Sequence, residues 1–138
     1  MSYKIIGKYI KELRFSIPNP EAFFLLSKNI SNYKINIDIK SIEVKQNIIE
    51  VLTTLSLKPI EKNFEKIDTS IVYSTIVEFN NKIDKNQIEK IILIQIPTKI
   101  YRELREIFIF LFENSGFKDI KIKEIVDFEK LYKLRKTQ

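Results

Sequence analysis

The segment Tyr33-Lys34-Ile35-Asn36-Ile37-Asp38-Ile39-Lys40 alternates without a break, apolar at every odd position and polar at every even one. Successive side chains of a β-strand point to opposite faces, so this pattern demands a strand with one face buried and the other in water. Such a strand needs a sheet around it and a layer over the sheet.

Neighbouring segments supply the sheet. Tyr3 to Phe15 keeps Ile5, Tyr9, Leu13 and Phe15 on one parity against Lys8, Glu12 and Arg14 on the other, and Pro18-Asn19-Pro20 ends it. Asn47 to Leu57 holds Ile49, Val51, Leu55 and Leu57 on one parity, and Ile67 to Phe79 does the same with Ile67, Ile71, Tyr73, Val77 and Phe79. The connection at Lys45-Gln46-Asn47 is short enough for a hairpin, whereas Pro59 to Lys66 makes a longer, charged connection. These strands predict a four-stranded antiparallel meander.

Helices fill the remainder. Asp84 and Gln87 have capping-box spacing ahead of an Ile88, Ile91, Ile92 stripe. A longer helix is expected from about Thr98 to Asn114, stopped by Gly116, and Asp127 can cap a last helix carrying Phe128, Leu131 and Tyr132. The fold expected is α+β: the sheet, then a short, a long and a C-terminal helix, in one domain over 1–138. The long helix is unusual. Ile107-Phe108-Ile109-Phe110-Leu111-Phe112 is apolar on every side, and each such side chain gains roughly 1.5–3 kcal/mol on burial, so Ile107, Phe108, Phe110, Leu111 and Phe112 are expected at an interface between copies of the chain.

Composition excludes much chemistry. The chain has no Cys and no His, so thiol nucleophiles, Ser-His-Asp triads, disulfides and the usual zinc sites are closed to it. Two isolated glycines cannot build a phosphate-cradling loop. The expectation is a protein that is not an enzyme and uses no metal or cofactor. No apolar run approaches the roughly 20 residues that span a bilayer, and Met1 to Phe15 has no signal-peptide pattern, so a cytoplasmic location is expected. The charge of +6, from 24 basic and 18 acidic residues, invites a basic RNA-binding module bearing Tyr33 and Tyr73 on its sheet, but acids and bases are interspersed and the aromatic signature of RNA-reading sheets is missing, so no nucleic-acid partner is expected.

The pattern Tyr9-x-Lys11-Glu12-Leu13-x-Phe15-x-x-Pro18 resembles the first strand of the SecB family of bacterial export chaperones. The resemblance continues in order through Arg105-Glu106, Gly116-Phe117, Phe117-x-x-Ile120-x-Ile122 and Val126-x-Phe128-x-x-Leu131-Tyr132, covering Tyr3 to Leu134. It implies an ATP-independent holdase for unfolded preproteins, assembled as a homotetramer, a dimer of dimers, and handing its clients to the SecA motor for Sec-dependent export. The family also includes chaperones dedicated to toxin–antitoxin systems.

Departures concern charge. Ser16 and Ser70 stand where the family commonly has acidic SecA-contacting residues, the tail from Lys133 to Gln138 is basic, and Glu12 is the retained candidate SecA contact. For client binding, Phe23, Phe24, Leu25 and Leu26 after the first strand either line an exposed apolar groove or fold back as a helix that completes the core. Ile35, Ile37, Tyr73 and Phe79 are further client-binding candidates, although strand positions of this kind chiefly fill the core.

Overall fold

In the computed structural model, which describes residues 2–60, 68–117 and 120–136, the alternating segments are four long strands. They are β1 (Tyr3–Ser16), β2 (Tyr33–Lys45), β3 (Ile48–Pro59) and β4 (Asp68–Phe79), joined in one antiparallel sheet. Gln46 and Asn47 connect β2 to β3, with Asn47 at a φ of 66°, a conformation Asn tolerates better than most residues. Pro59 closes β3, while the rest of the expected charged connection and Ile67 lie outside the described residues.

The strand order is β1-β4-β3-β2, which corrects the expected meander. β2, β3 and β4 do follow one another across the sheet, but β1 joins at β4. The connection is the reason. Residues 17–32 carry helix α1 (Pro20–Asn29) and a 3-10 turn (Ile30–Asn32), too much chain for a hairpin, so the backbone crosses the sheet and begins β2 at the opposite edge. Asn19 starts α1 by accepting the Ala22 N–H at 2.8 Å, with Pro20 in the first turn, where a missing donor costs nothing.

β1 also departs from simple alternation. Register shifts between Ile5 and Gly7 and between Ile10 and Glu12 each reverse the side-chain parity. Ile5, Leu13 and Phe15 therefore lie on the face shared with Val77, Ile71 and Thr69, whereas Tyr9 pairs with Ser74 and points to the other side.

A helical layer covers the first of these faces. Asp84 accepts the Gln87 N–H at 2.9 Å and opens α2 (Lys85–Lys90), which passes through a π-helical turn (Ile91–Gln95) directly into α3 (Ile96–Glu113). The break expected before Thr98 is absent. Pro97 instead falls in the first turn of α3, and the wider π turn ahead of it accommodates its missing donor and its ring. One stripe of α3, comprising Ile96, Ile100, Leu104, Phe108 and Phe112, is sealed against Leu55, Ile71 and their neighbours. The short final helix α4 (Phe128–Lys136) is capped by Asp127, which accepts the Lys130 N–H at 3.0 Å, and Phe128 packs edge-on against Tyr101. Among the described residues no helix is long and apolar enough to cross a membrane.

Gly116 ends the long helix through paired bonds. Its own N–H donates to the Glu113 carbonyl and the Phe117 N–H reaches back to Phe112, whose ring meets that of Phe117 at 5.6 Å. This closure needs the φ of +96° that Gly116 adopts, and an added Cβ would stand 3.0 Å from the Phe23 ring. Gly116→Ala is accordingly expected to destabilise the fold by about 2 kcal/mol, combining left-handed strain with displacement of Phe23, and to lower the melting temperature by ~6 °C in calorimetry. A melting temperature equal to that of the unaltered chain would show that the cap does not carry this strain.

Candidate functional site

Helix α1 divides the four consecutive apolar residues between core and solvent. Leu26 is buried and Phe23 packs against Phe117 with ring centroids 5.0 Å apart, while Phe24 is 66% exposed and Leu25 about half exposed. The segment thus folds back as a helix that adds Phe23 and Leu26 to the core. Leu26 is withdrawn from the binding candidates because helical spacing turns it inward, and Phe24 and Leu25 remain at the surface.

The sheet candidates divide by strand. Tyr73 and Phe79 are buried, because β4 lies between β1 and β3 directly beneath the helical layer, and both are corrected from client-binding candidates to core. Burial of Tyr73 also removes the aromatic platform that an RNA-reading sheet would need. Its hydroxyl donates to Glu103 at 3.0 Å, and Lys8 of β1 pairs with the same carboxylate at 2.8 Å, so Glu103 ties α3 to β1 and β4. Lys8, chiefly through its hydrogen bond, holds the Glu103 carboxyl below its usual range, while burial, then Glu103, pushes the Tyr73 hydroxyl up.

Ile35 and Ile37 are placed differently. Among the described residues β2 is hydrogen-bonded to β3 alone, and its inward row of Ile35, Ile37 and Ile39 is only half covered. A cavity of about 470 Å³ opens beside the start of β2, lined by Tyr33, Ile35, Leu57, Ile120 and Ile122 among others. Another of about 570 Å³ lies toward its far end, bordered by Ile39, Ile42, Leu52, Ile88 and Leu93. The isoleucine row joins them. An extended peptide laid along this edge meets unpaired backbone groups and recesses for alternate side chains, the two requirements of strand addition.

On the opposite edge the expected interface residues part company. Phe108 and Phe112 are fully buried in their own chain, a correction explained by the single stripe of α3 that faces the sheet; Phe15 meets Phe112 edge-on at 5.1 Å. Ile107 and Leu111 flank that stripe, half-buried, and Phe110 stands 62% exposed. Ile6, Ile10 and Leu13 of β1 are exposed as well, and among the described residues β1 pairs only with β4. Arg105 donates to the Ile122 carbonyl at 3.1 Å, so it braces the closing segment of its own chain, and Glu106 lies 3.5 Å from Arg102.

The face of the sheet away from the helices is mixed, with Ile42, Leu52, Val72 and Ile76 set among polar residues. Glu12 lies there opposite Val72, half exposed and paired with Arg14 at 3.0 Å. Beside it is a cluster the sequence patterns do not single out: Glu50 of β3 accepts hydrogen bonds from Tyr9 and Ser74 at 2.6 Å each and from Lys11 at 3.1 Å. A signal was available, since Glu50 is the one charged residue between Ile48 and Leu57.

The comparisons with known proteins agree with one another. The family model described as preprotein translocase subunit SecB matches residues 1–138. The chain is 42% identical over 135 residues to a putative protein-export protein SecB of Pelagibacter ubique strain HTCC1062, covering 97% of this chain and 96% of that protein. It is 22% identical to protein-export protein SecB of Anaplasma phagocytophilum strain HZ, over 94% of this chain and 89% of that one. Among solved structures, the Mycobacterium tuberculosis SecB-like chaperone in complex with a ChAD peptide from the HigA1 antitoxin superposes with a TM-score of 0.55 over 88% of this chain and 91% of that one, at 9% identity. That likeness is one of fold.

The Glu50 cluster has a consequence for acid stability. Hydrogen bonds from Ser74, then Tyr9, with support from Lys11, hold its carboxyl at about 2, down from 4.5. A carboxyl whose folded pKa is depressed stabilises the fold fully above its unfolded value, and that contribution disappears as pH falls from about 4.5 through about 2. Denaturant titrations across that window are expected to show a loss of unfolding free energy that Glu50→Gln lacks; parallel curves for the two proteins would rule the linkage out.

Proposed function

The chain belongs to the SecB family, and we propose on that footing that it is a holdase of protein export, binding unfolded or precursor polypeptides without ATP and keeping them competent for translocation. The observation that carries the site is the half-covered isoleucine row of β2, with a cavity toward each end and a free strand edge beside it. Binding there requires no catalytic group. A client gains roughly 25 cal/mol for each Å² of apolar surface it withdraws from water, and its backbone adds hydrogen bonds to β2 that are indifferent to sequence. Phe24 and Leu25 extend the apolar surface on α1.

Assembly into a homotetramer, a dimer of dimers, is proposed through the other edge. Ile6, Ile10 and Leu13 on β1 and Phe110 on α3 are large aliphatic or aromatic side chains left in water there, as is Tyr9, and Ile107 and Leu111 support them. A cytoplasmic site of action accords with clients met before translocation. SecA is a further proposed partner with Glu12 as its contact, although Arg14 neutralises that carboxylate and weakens attraction to a cationic surface. The export reading is preferred over service to a toxin–antitoxin system because the relatives that support it by sequence carry export names, whereas the antitoxin-bound neighbour shares the fold at 9% identity.

The test is aggregation of a chemically unfolded client diluted into buffer without nucleotide, followed by light scattering. The unaltered chain is expected to suppress aggregation at a mass near four chains, and Ile35→Asp with Ile37→Asp is expected to weaken client affinity at least tenfold while leaving that mass in place. A monomer without effect on the client would overturn the reading, and tight, salt-dependent binding of single-stranded RNA would replace it with the nucleic-acid module.

A further inference from the structure

β1 carries its apolar row on the helix side and a mostly polar row, with Lys4, Tyr9, Glu12 and Arg14, on the other. Ile5, Ile10 and Leu13 share the helix side with Val77, Tyr73 and Ile71, while Tyr9 faces the other way opposite Ser74. Hydrophobic burial specifies strand register when only one face is apolar, because a one-residue slip then turns the whole apolar set into water. A two-residue slip of β1, by contrast, keeps each row on its own face and so escapes that penalty. Burial alone leaves its register open.

A polar device on the outer face closes that freedom. Glu50 is the buried charged side chain among the described residues, and its carboxylate collects Tyr9, Lys11 and Ser74. Tyr9 and Lys11 are not on the neighbouring strand: from β1 they reach over β4 to β3, two strand spacings or roughly 9.6 Å. Small residues clear the way. Ser74 lies opposite Tyr9, and Gly7 lies opposite Ile76, whose Cδ1 would stand 3.3 Å from a Cβ at position 7. The register shift between Ile10 and Glu12 makes Lys11 the extra residue, free of ladder pairing and able to turn toward the same carboxylate as Tyr9.

We infer that Tyr9, Lys11, Ser74 and Glu50 form a register pin whose members act as positioning residues, deciding how far along the sheet β1 sits and so which of its residues are presented to a second copy of the chain. In the pinned register Ile10 and Leu13 stand on the side of the sheet that bears Phe110. Any other register parts Glu50 from its cation and its tyrosine donor, and a buried carboxylate stripped of partners is strongly disfavoured. The inference rests on the self-association proposed above.

The chain has no cysteine, so a cysteine pair reports register cleanly. Arg14→Cys with Ser70→Cys joins positions opposite each other in the β1–β4 ladder and is expected to cross-link efficiently on oxidation. Adding Tyr9→Phe, Lys11→Met and Glu50→Leu replaces the carboxylate and both of its β1 partners by apolar groups, which preserves packing and relaxes the register. The cross-link yield is expected to fall at least threefold and the assembled mass to give way to smaller species, with a cooperative melting transition retained. An unchanged yield in this folded variant overturns the pin, whatever its mass. Should the triple change prevent folding, Tyr9→Phe alone is expected to lower the yield in the same direction, and an unchanged yield there overturns it equally. A monomeric unaltered chain would remove the self-association reading, and with it the role toward a second copy, while the yield still decides whether the four residues fix the register.

Discussion

A single helical layer has to cover a four-stranded sheet, and it is too narrow to do so. Strands lie about 4.8 Å apart, so the outer two of four are separated by roughly 14 Å, whereas a helix with its side chains is about 10 Å across. α3 therefore seals the middle of the sheet: Val51 and Leu55 on β3 and Ile71 and Val77 on β4 are excluded from solvent. The edge strands receive less. Ile35, Ile37 and Ile39 on β2, and Ile10 and Leu13 on β1, stay partly in water because, among the described residues, no second long helix lies beside α3 to cover them. The exposed apolar surface of this chain is a geometric consequence of its architecture.

Legibility in the sequence followed how local each constraint is. The alternation of Tyr33–Lys40, the caps at Asp84 and Asp127 and the stop at Gly116 each depend on neighbouring residues alone, and each appears in the structure at the expected place. β1 was less transparent, since two register shifts carry Tyr9 to the face opposite Ile5 and Leu13, and a parity count cannot see an inserted residue. The order of the strands was hidden for a similar reason: it is set by where α1 delivers the chain, not by any strand's own pattern.

The site was less legible than the fold. In the run from Ile107 to Phe112, hydrophobicity marks all six residues alike, yet one stripe enters the core and Phe110 stands outside it. Among Phe23–Leu26 the same composition hides a helix that separates Leu26 from Phe24. Apolar content shows that burial is needed somewhere; which side chain is left over depends on the partner layer. The charge balance behaves likewise. Several acids on and beside the sheet are paired within the chain, Glu50 with Lys11, Glu103 with Lys8 and Glu12 with Arg14, a use of charge that a count of acids and bases does not reveal.

The two incompletely covered edges are not equivalent, and the difference bears on what each can hold. Beside β2 the surface is recessed, with cavities whose walls come from the 3-10 turn, the segment at 120–122 and α2, so side chains of many sizes find room. Beside β1 the apolar residues stand proud, and the strand is tied down at Glu50 on one face and at Glu103 on the other. A recessed edge with spare volume tolerates variety in its occupant, because an unfilled pocket costs little when water can enter it. A proud edge in a fixed register rewards one complementary surface and is indifferent to others, since each protruding side chain gains only where a matching hollow receives it. On the proposed reading, the asymmetry of α3 over the sheet separates adaptable binding at β2 from self-recognition at β1 without any residue being assigned to both.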